Sequence, residues 1–244
     1  LLNVPIMIAN SLGSALVPAL SRAVGAGQRK EVERNITLAI RFSMVVAIPA
    51  AVGLGVMADP LIPLLFGKSE LAVHIMQLGC LSVVLYSLST VSNAILQGTN
   101  HMQVPVMHAA LSLGIHVLTL EVLLRIFELG IVGVVIADMV FALSMCILNA
   151  ASLRSLLHYR QEIRRSFFLP AFCAALMGLV TAGAKIFLKR FTGRVVLYTL
   201  VPIFLAVAVY GALLLLTGAI REKELLRFPK GESLCRLARK LHLI

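Results

Sequence analysis

Tryptophan is absent from this chain of 244 residues, and aromatic residues make up only 6% of it. Nothing in the sequence builds the interleaved aromatic and basic surface on which nucleic-acid bases stack, so nucleic acid is not an expected partner. Charge is also scarce. Asp, Glu, Lys and Arg together account for 14% of residues, against about 25% in soluble domains. A soluble fold of this size cannot hide from water a composition that is 59% hydrophobic, with mean hydropathy +0.96. This excludes a disordered chain and an ordinary cytosolic enzyme. The four cysteines, Cys80, Cys146, Cys173 and Cys235, form no CxxC pair. Three of them lie in apolar runs and read as small buried hydrophobes rather than disulfide staples or metal ligands. No HExxH, GxSxG, Walker A loop or paired acidic site occurs. No catalytic residue, metal site or cofactor is therefore assigned.

What the sequence does have is long apolar runs. Crossing the hydrocarbon core as a helix takes about 20 mostly apolar residues. Seven stretches qualify: Leu1–Leu20, Ile36–Met57, Val73–Leu96, Pro105–Leu124, Leu129–Leu153, Phe167–Leu188 and Val195–Thr217. They are apolar all round and far longer than the alternating segments of a membrane β-barrel. The expected fold is an all-α polytopic bundle of about seven spans. Pro60, Pro63 and Gly67 read as a break after the second run, and Gly98 to Gln103 as a polar turn after the third. The first residue is Leu, inside an apolar run, so the chain reads as a fragment lacking an N-terminal part.

The net charge of +11 fits basic loops held on the cytoplasmic side. With alternating crossings, one side collects 16 Lys and Arg, among them Arg22, Arg29, Lys30, Arg34, Arg41, Arg154 and Arg165; the other collects 6. The side of 16 is the expected cytoplasmic side, which places the C-terminus inside. Lys185, Lys189, Arg190 and Arg194 fall on the opposite side. Either two of them snorkel at helix ends and the charge bias tolerates the exceptions, or the last two spans are not a simple hairpin. The tail is basic, with Leu234, Leu237, Ala238 and Leu241 on one face; it is either a helix lying on a membrane surface or a solvated basic tail.

Polar groups at membrane depth are costly and therefore informative. Asp138 lies near the middle of the fifth run, either as a proton or cation site or as a buried carboxylate hydrogen-bonded to a neighbouring Ser or Asn. His116 lies midway along the fourth run, with His108 two turns earlier on a similar face. Glu121 and Arg125 are spaced as an interfacial helix ion pair. Arg41, near the cytoplasmic surface, either meets a phosphate or simply fixes topology. Asn10, Ser11 and Ser14 on the first run, and Ser89, Ser92, Asn93 and Gln97 on the third, suit a polar cavity lining or inter-helix hydrogen bonds. Rows of small residues, Gly133 with Ala137 and Ala174 with Gly178 and Ala182, suit close helix packing.

Several runs in order carry a family resemblance: PIMIANSLGSALVPALSRA from Pro5, then IPAAVGL with LLFG, then SLSTVSNAILQG. Together they resemble the C-terminal half of the polysaccharide-biosynthesis branch of the multidrug/oligosaccharidyl-lipid/polysaccharide (MOP) flippase superfamily, in particular the stage V sporulation protein B family. The resemblance covers roughly residues 1–155; the last two spans match by position and hydrophobicity.

The resemblance implies a MATE-like transporter of two helical lobes. Residues 1–155 would be five helices of the second lobe, 156–218 two additional spans, and 219–244 a cytoplasmic tail. It also implies transbilayer movement of a lipid-linked oligosaccharide or peptidoglycan precursor by alternating access, in a bacterial cell membrane, with membrane lipids and the absent first lobe as partners. The resemblance also implies a basic residue within the helix that runs from Pro105, and this chain offers His116 there. The candidate substrate-cavity residues are Asn10, Ser14, Arg41, Asn93, Gln97, His116 and Asp138. Two alternatives stand beside the flippase: a MATE-type drug or cation antiporter relying on Asp138, and a scaffold for cell-wall synthesis docking through its basic tail.

Overall fold

The computed structural model describes residues 1–159, 161–192 and 194–217. The expected tail over 219–244 lies outside them. The elements are α1 (Asn3–Gly25), α2 (Arg29–Val56), α3 (Ala58–Phe66), α4 (Glu70–Gly98), α5 (Gln103–Arg125), α6 (Gly130–Leu157), α7 (Leu169–Thr192) and α8 (Val195–Leu216). A π-helical turn, Arg164–Phe168, leads into α7. No strand occurs among the described residues, and seven helices are long and apolar enough to cross a bilayer.

The seven expected spans are present, with different ends. α2 begins at Arg29, seven residues before its apolar run, because the polar stretch to Asn35 continues the helix beyond the hydrocarbon zone. α3 is a correction: the Pro60 and Pro63 region was expected to be a break. Pro60 instead falls in the first turn of α3, where a missing N–H has no helical partner to lose. Gly67 ends α3 with φ 86°, a conformation that favours glycine. Ser69 then caps α4 by accepting a hydrogen bond from the Ala72 amide.

α4 is the centre of the bundle and packs against α1, α2 and α6. Leu20, Ile36, Ile40, Met44, Val91 and Ile95 fill the seam where α1, α2 and α4 meet. α1 and α4 run in the same direction. Leu2 packs beside Gly79, Gly13 beside Ala94, and Leu20 beside Gly98. A second apolar cluster joins α7 and α8 to α2 around Val45, Cys173, Met177 and Tyr210; the Tyr210 hydroxyl donates to the Val45 carbonyl at 2.8 Å. α7 and α8 pack against each other as a hairpin, so the non-hairpin alternative for these spans falls. The backbone of Gly178 lies directly against Val52 of α2, which explains the small residue there. α5 leans chiefly on α6 and buries only Pro105 and Ser112.

Side-chain ties identify which loops share an end of the bundle. Thr37 donates to the Glu33 carbonyl at 2.9 Å, so the Tyr159 hydroxyl is the donor in its 3.0 Å bond to Thr37. Burial, the largest effect on Tyr159, raises its pKa, so it stays protonated as that donor through neutral pH. Beside it, Arg41 of α2 is 2.6 Å from Glu162. The basic 22–41 and 154–165 segments thus meet at one end, as alternating crossings require. At the other end, Lys185 of α7 bonds the Val56 carbonyl at 2.8 Å and Asp59 at 3.0 Å, and Gln77 also reaches Asp59 at 3.2 Å. Lys185 is therefore a paired residue rather than an unexplained outlier in the loop charges.

The Arg41–Glu162 pair gives a first expected result. Breaking a fully buried ion pair costs about 3–5 kcal/mol. Glu162 is half exposed and regains water when Arg41 is lost. Arg41→Ala should therefore lower stability by only about 1–2 kcal/mol. Thermal unfolding in detergent measures this, and an unchanged midpoint would show that the tie contributes nothing.

Candidate functional site

Two helices with polar residues at helical spacing build an open groove. α1 supplies Asn10, Gly13, Ser14 and Val17; α4 supplies Thr90, Asn93, Ala94 and Gln97. In each set the residues fall three or four apart, so they share one helix face. The groove has a volume of about 270 Å³. Its floor is formed where Gly13 of α1 meets Ala94 of α4. A Cβ built on Gly13 would sit 3.1 Å from that of Ala94. The Ser21 hydroxyl closes one end by donating to the Gly98 carbonyl at 3.1 Å.

The groove walls are polar and uncharged. Asn10, Ser14 and Gln97 are exposed, and Asn93 is half-buried. Ser14 donates to the Asn10 carbonyl at 3.0 Å, leaving its oxygen lone pairs for a ligand. Outside the groove α1 is largely apolar: Val4, Met7 and Ile8 are exposed, with Met7 one turn before Asn10. A polar trough on a helix that is otherwise apolar can receive a molecule that carries a headgroup and a lipid tail.

Four of the seven candidate cavity residues, Asn10, Ser14, Asn93 and Gln97, line this groove. Arg41 does not. It lies well inside α2, between Arg29 and Val56, where it is paired with Glu162. His116 and Asp138 lie apart from the groove too, and face each other across α5 and α6 with Nδ1 3.9 Å from the carboxylate. That exceeds hydrogen-bond reach, and His116 Nδ1 is buried without a hydrogen-bond partner among the described residues. The His116 ring stacks edge-on against Phe141, centroids 6.0 Å apart. The option of a buried Asp138 bonded to Ser or Asn is corrected: its side chain is 53% exposed. Glu121 and Arg125 form a 2.7 Å pair with both side chains exposed, which contributes little to stability.

One cluster escaped the sequence reading. Asn149 of α6 is wholly buried and joins three helices. Its amide nitrogen reaches Asn93 Oδ1 at 2.8 Å and the Ser89 carbonyl at 3.4 Å, and its oxygen meets His108 Nδ1 at 2.8 Å. Ser152 lies 3.2 Å from His108 Nε2. Asn93 and His108 had carried a signal as polar residues in apolar runs; Asn149 and Ser152 had not. Among the described residues, no group of three or more His, Cys, Asp or Glu is placed to hold a metal ion.

Comparison with known proteins follows the same line. The chain is 32% identical over 233 residues to a probable lipid II flippase MurJ of Bdellovibrio bacteriovorus, covering 89% of this chain and 43% of that protein. It is 27% identical over 229 residues to the stage V sporulation protein B of Bacillus subtilis, covering 94% and 44%. The chain thus spans under half the length of these curated relatives. A MOP superfamily transporter from Pyrococcus furiosus shares the fold, with TM-score 0.52 and 17% identity over 96% of this chain and 58% of that one. The seven apolar helices and the bacterial relatives make this a multi-pass membrane protein. A family model described as lipid II flippase MurJ matches residues 2–206, and the chain belongs to that family.

Proposed function

We propose that the chain acts as the second lobe of a flippase that carries a lipid-linked cell-wall precursor, such as lipid II, from the inner to the outer leaflet. The observation that carries this reading is the α1–α4 groove, polar within, on a helix whose other exposed residues include the apolar Val4, Met7 and Ile8. A headgroup rich in oxygen fits the uncharged amide and hydroxyl walls, while its lipid tail stays against the apolar surface of α1 around Met7. A first lobe would supply the opposite wall. Rocking of the two lobes about a site near the bilayer midplane would then open it to each side in turn. In this reading the basic end formed by residues 22–41 and 154–165 faces the cytoplasm, and so does the C-terminus. Asp138 and His116 are the candidates for coupling to a proton or cation.

Reconstitution tests the proposal. Liposomes holding this chain together with the first half of the Bdellovibrio relative should expose a fluorescent lipid-linked disaccharide pyrophosphate in the opposite leaflet. Asn93→Leu, which removes a polar group from the groove, should slow the exposure roughly tenfold, the equivalent of one or two lost hydrogen bonds. No exposure with a correctly inserted pair would end the flippase reading. The antiporter alternative requires coupled drug efflux from the same liposomes that Asp138→Asn abolishes. The scaffold alternative requires partner binding that is lost on deletion of residues 219–244.

A further inference from the structure

The cluster around Asn149 has a direction, and the direction follows from chemistry. A backbone carbonyl can only accept, so the contact with the Ser89 carbonyl identifies the Asn149 nitrogen as the end facing α4. The second hydrogen on that nitrogen is donated to Asn93 Oδ1. The Asn149 oxygen then faces His108 and must accept. His108 Nδ1 therefore carries a proton. In the neutral ring Nε2 is an acceptor, and the Ser152 hydroxyl donates to it. The chain of donors runs one way, from Ser152 to His108 to Asn149 to Asn93, through α6, α5 and α6 again to α4.

We propose that this relay sets the hydrogen-bond polarity of the groove. With its oxygen held by Asn149, Asn93 keeps its amide N–H bonds for the groove it lines. Asn93 is then a donor to the groove, and what it receives is an oxygen acceptor: a phosphate oxygen or a sugar oxygen of the headgroup. The inference rests on reading the groove as the headgroup site. His108 and Asn149 are positioning residues that never touch the ligand. Their burial matters, because an amide free to rotate would present donor and acceptor alternately and discriminate poorly between ligands. Within a low-dielectric bundle, reversing the chain would leave Asn149 Oδ1 facing the Ser89 carbonyl with no proton between them.

The relay makes a prediction that a merely space-filling cluster does not. In the full chain in lipid nanodiscs, nitrogen-15 NMR should show His108 protonated at Nδ1 and bare at Nε2, with the signal assigned by its loss in His108→Gln. The opposite tautomer would overturn the proposal. In the same sample, the Asn93 side-chain amide signals should shift on addition of inorganic pyrophosphate, of N-acetylglucosamine, or of both. A response to the first alone assigns a phosphate oxygen, and to the second alone a sugar oxygen. No response to either overturns the proposal.

Substitution then reverses the polarity. Asn149→Asp offers Asn93 an acceptor and turns its amide nitrogen away from the groove, so the response should weaken roughly tenfold. His108→Gln retains an N–H donor toward Asn149, so the response should survive. An equal response in Asn149→Asp would refute the relay. The tautomer is read on the unaltered chain, so a variant that fails to fold leaves the proposal open to refutation. Failure of the liposome assay would remove the transport reading and leave the tautomer result standing; the reverse tautomer would remove the relay and leave transport untouched.

Discussion

Replacing Gly98 with leucine should cost about 3 kcal/mol or more and abolish any activity that depends on the groove. Gly98 ends α4 where α1 crosses it most tightly. A Cβ there would lie 2.9 Å from the Leu20 Cβ, 3.1 Å from the Val17 carbonyl oxygen and 3.2 Å from the Val17 Cα. Two of these neighbours are backbone atoms, which cannot swing aside. Overpacking of a well-filled seam typically costs about 1–3 kcal/mol, and more when the backbone must move. Here α1 would be wedged off α4, opening the floor of the groove and separating Ser21 from the Gly98 carbonyl. Gly183→Leu is the matched control, because a Cβ at Gly183 meets nothing within 4 Å. It should change stability by less than about 0.5 kcal/mol. Unfolding in detergent compares the two, and equal melting points would refute the close approach.

The second large effect is at the opposite end of the bundle and depends on an asymmetry. Lys185 is largely buried, with its ammonium shared between the Val56 carbonyl and Asp59, whereas Asp59 is more than half exposed. Removing the acid leaves a poorly hydrated cation, and removing the cation leaves an acid that water and Gln77 can still serve. Asp59→Leu should therefore cost about 2 kcal/mol, and Lys185→Met less than about 1 kcal/mol. The double variant Asp59→Leu with Lys185→Met should be more stable than Asp59→Leu alone, giving a coupling energy of the sign expected for a true pair. If the two losses simply add, Lys185 is held by the carbonyl and not by the carboxylate.

The spans were legible because a bilayer imposes one length and one chemistry on every crossing. Residues 36–57 and 195–217 needed nothing but their own apolarity to be found. α3 was not legible, because Pro60 and Pro63 argue for a break unless it is known that Pro60 falls in a first turn. The polar faces of α1 and α4 were visible as Asn and Ser at three- and four-residue spacing, and the same spacing brings Asn10, Ser14, Asn93 and Gln97 to one groove. Their meeting was not visible, since it depends on α1 and α4 lying side by side in the same direction. Arg41 shows the opposite case. Its charge and its position near a surface fitted a phosphate ligand equally well, and only the placement of Glu162, 121 residues later, decides its partner. Asn149 carried no signal at all, because its partners stand 41, 56 and 60 residues away in sequence.

The distance along the chain between the two groove helices has a consequence for biosynthesis. Ser21 and its acceptor on Gly98 are 77 residues apart. At roughly 5–20 residues per second, the ribosome needs about 4–15 s to deliver that acceptor after Ser21 has emerged. For that interval the face bearing Asn10 and Ser14 has no α4 beside it. Ser11 and Ser14 donate to the carbonyls of Met7 and Asn10 on their own helix. α1 can therefore wait among lipid tails with both hydroxyls already occupied, and its amide at Asn10 remains the group most in need of an insertase or early partner until translation catches up.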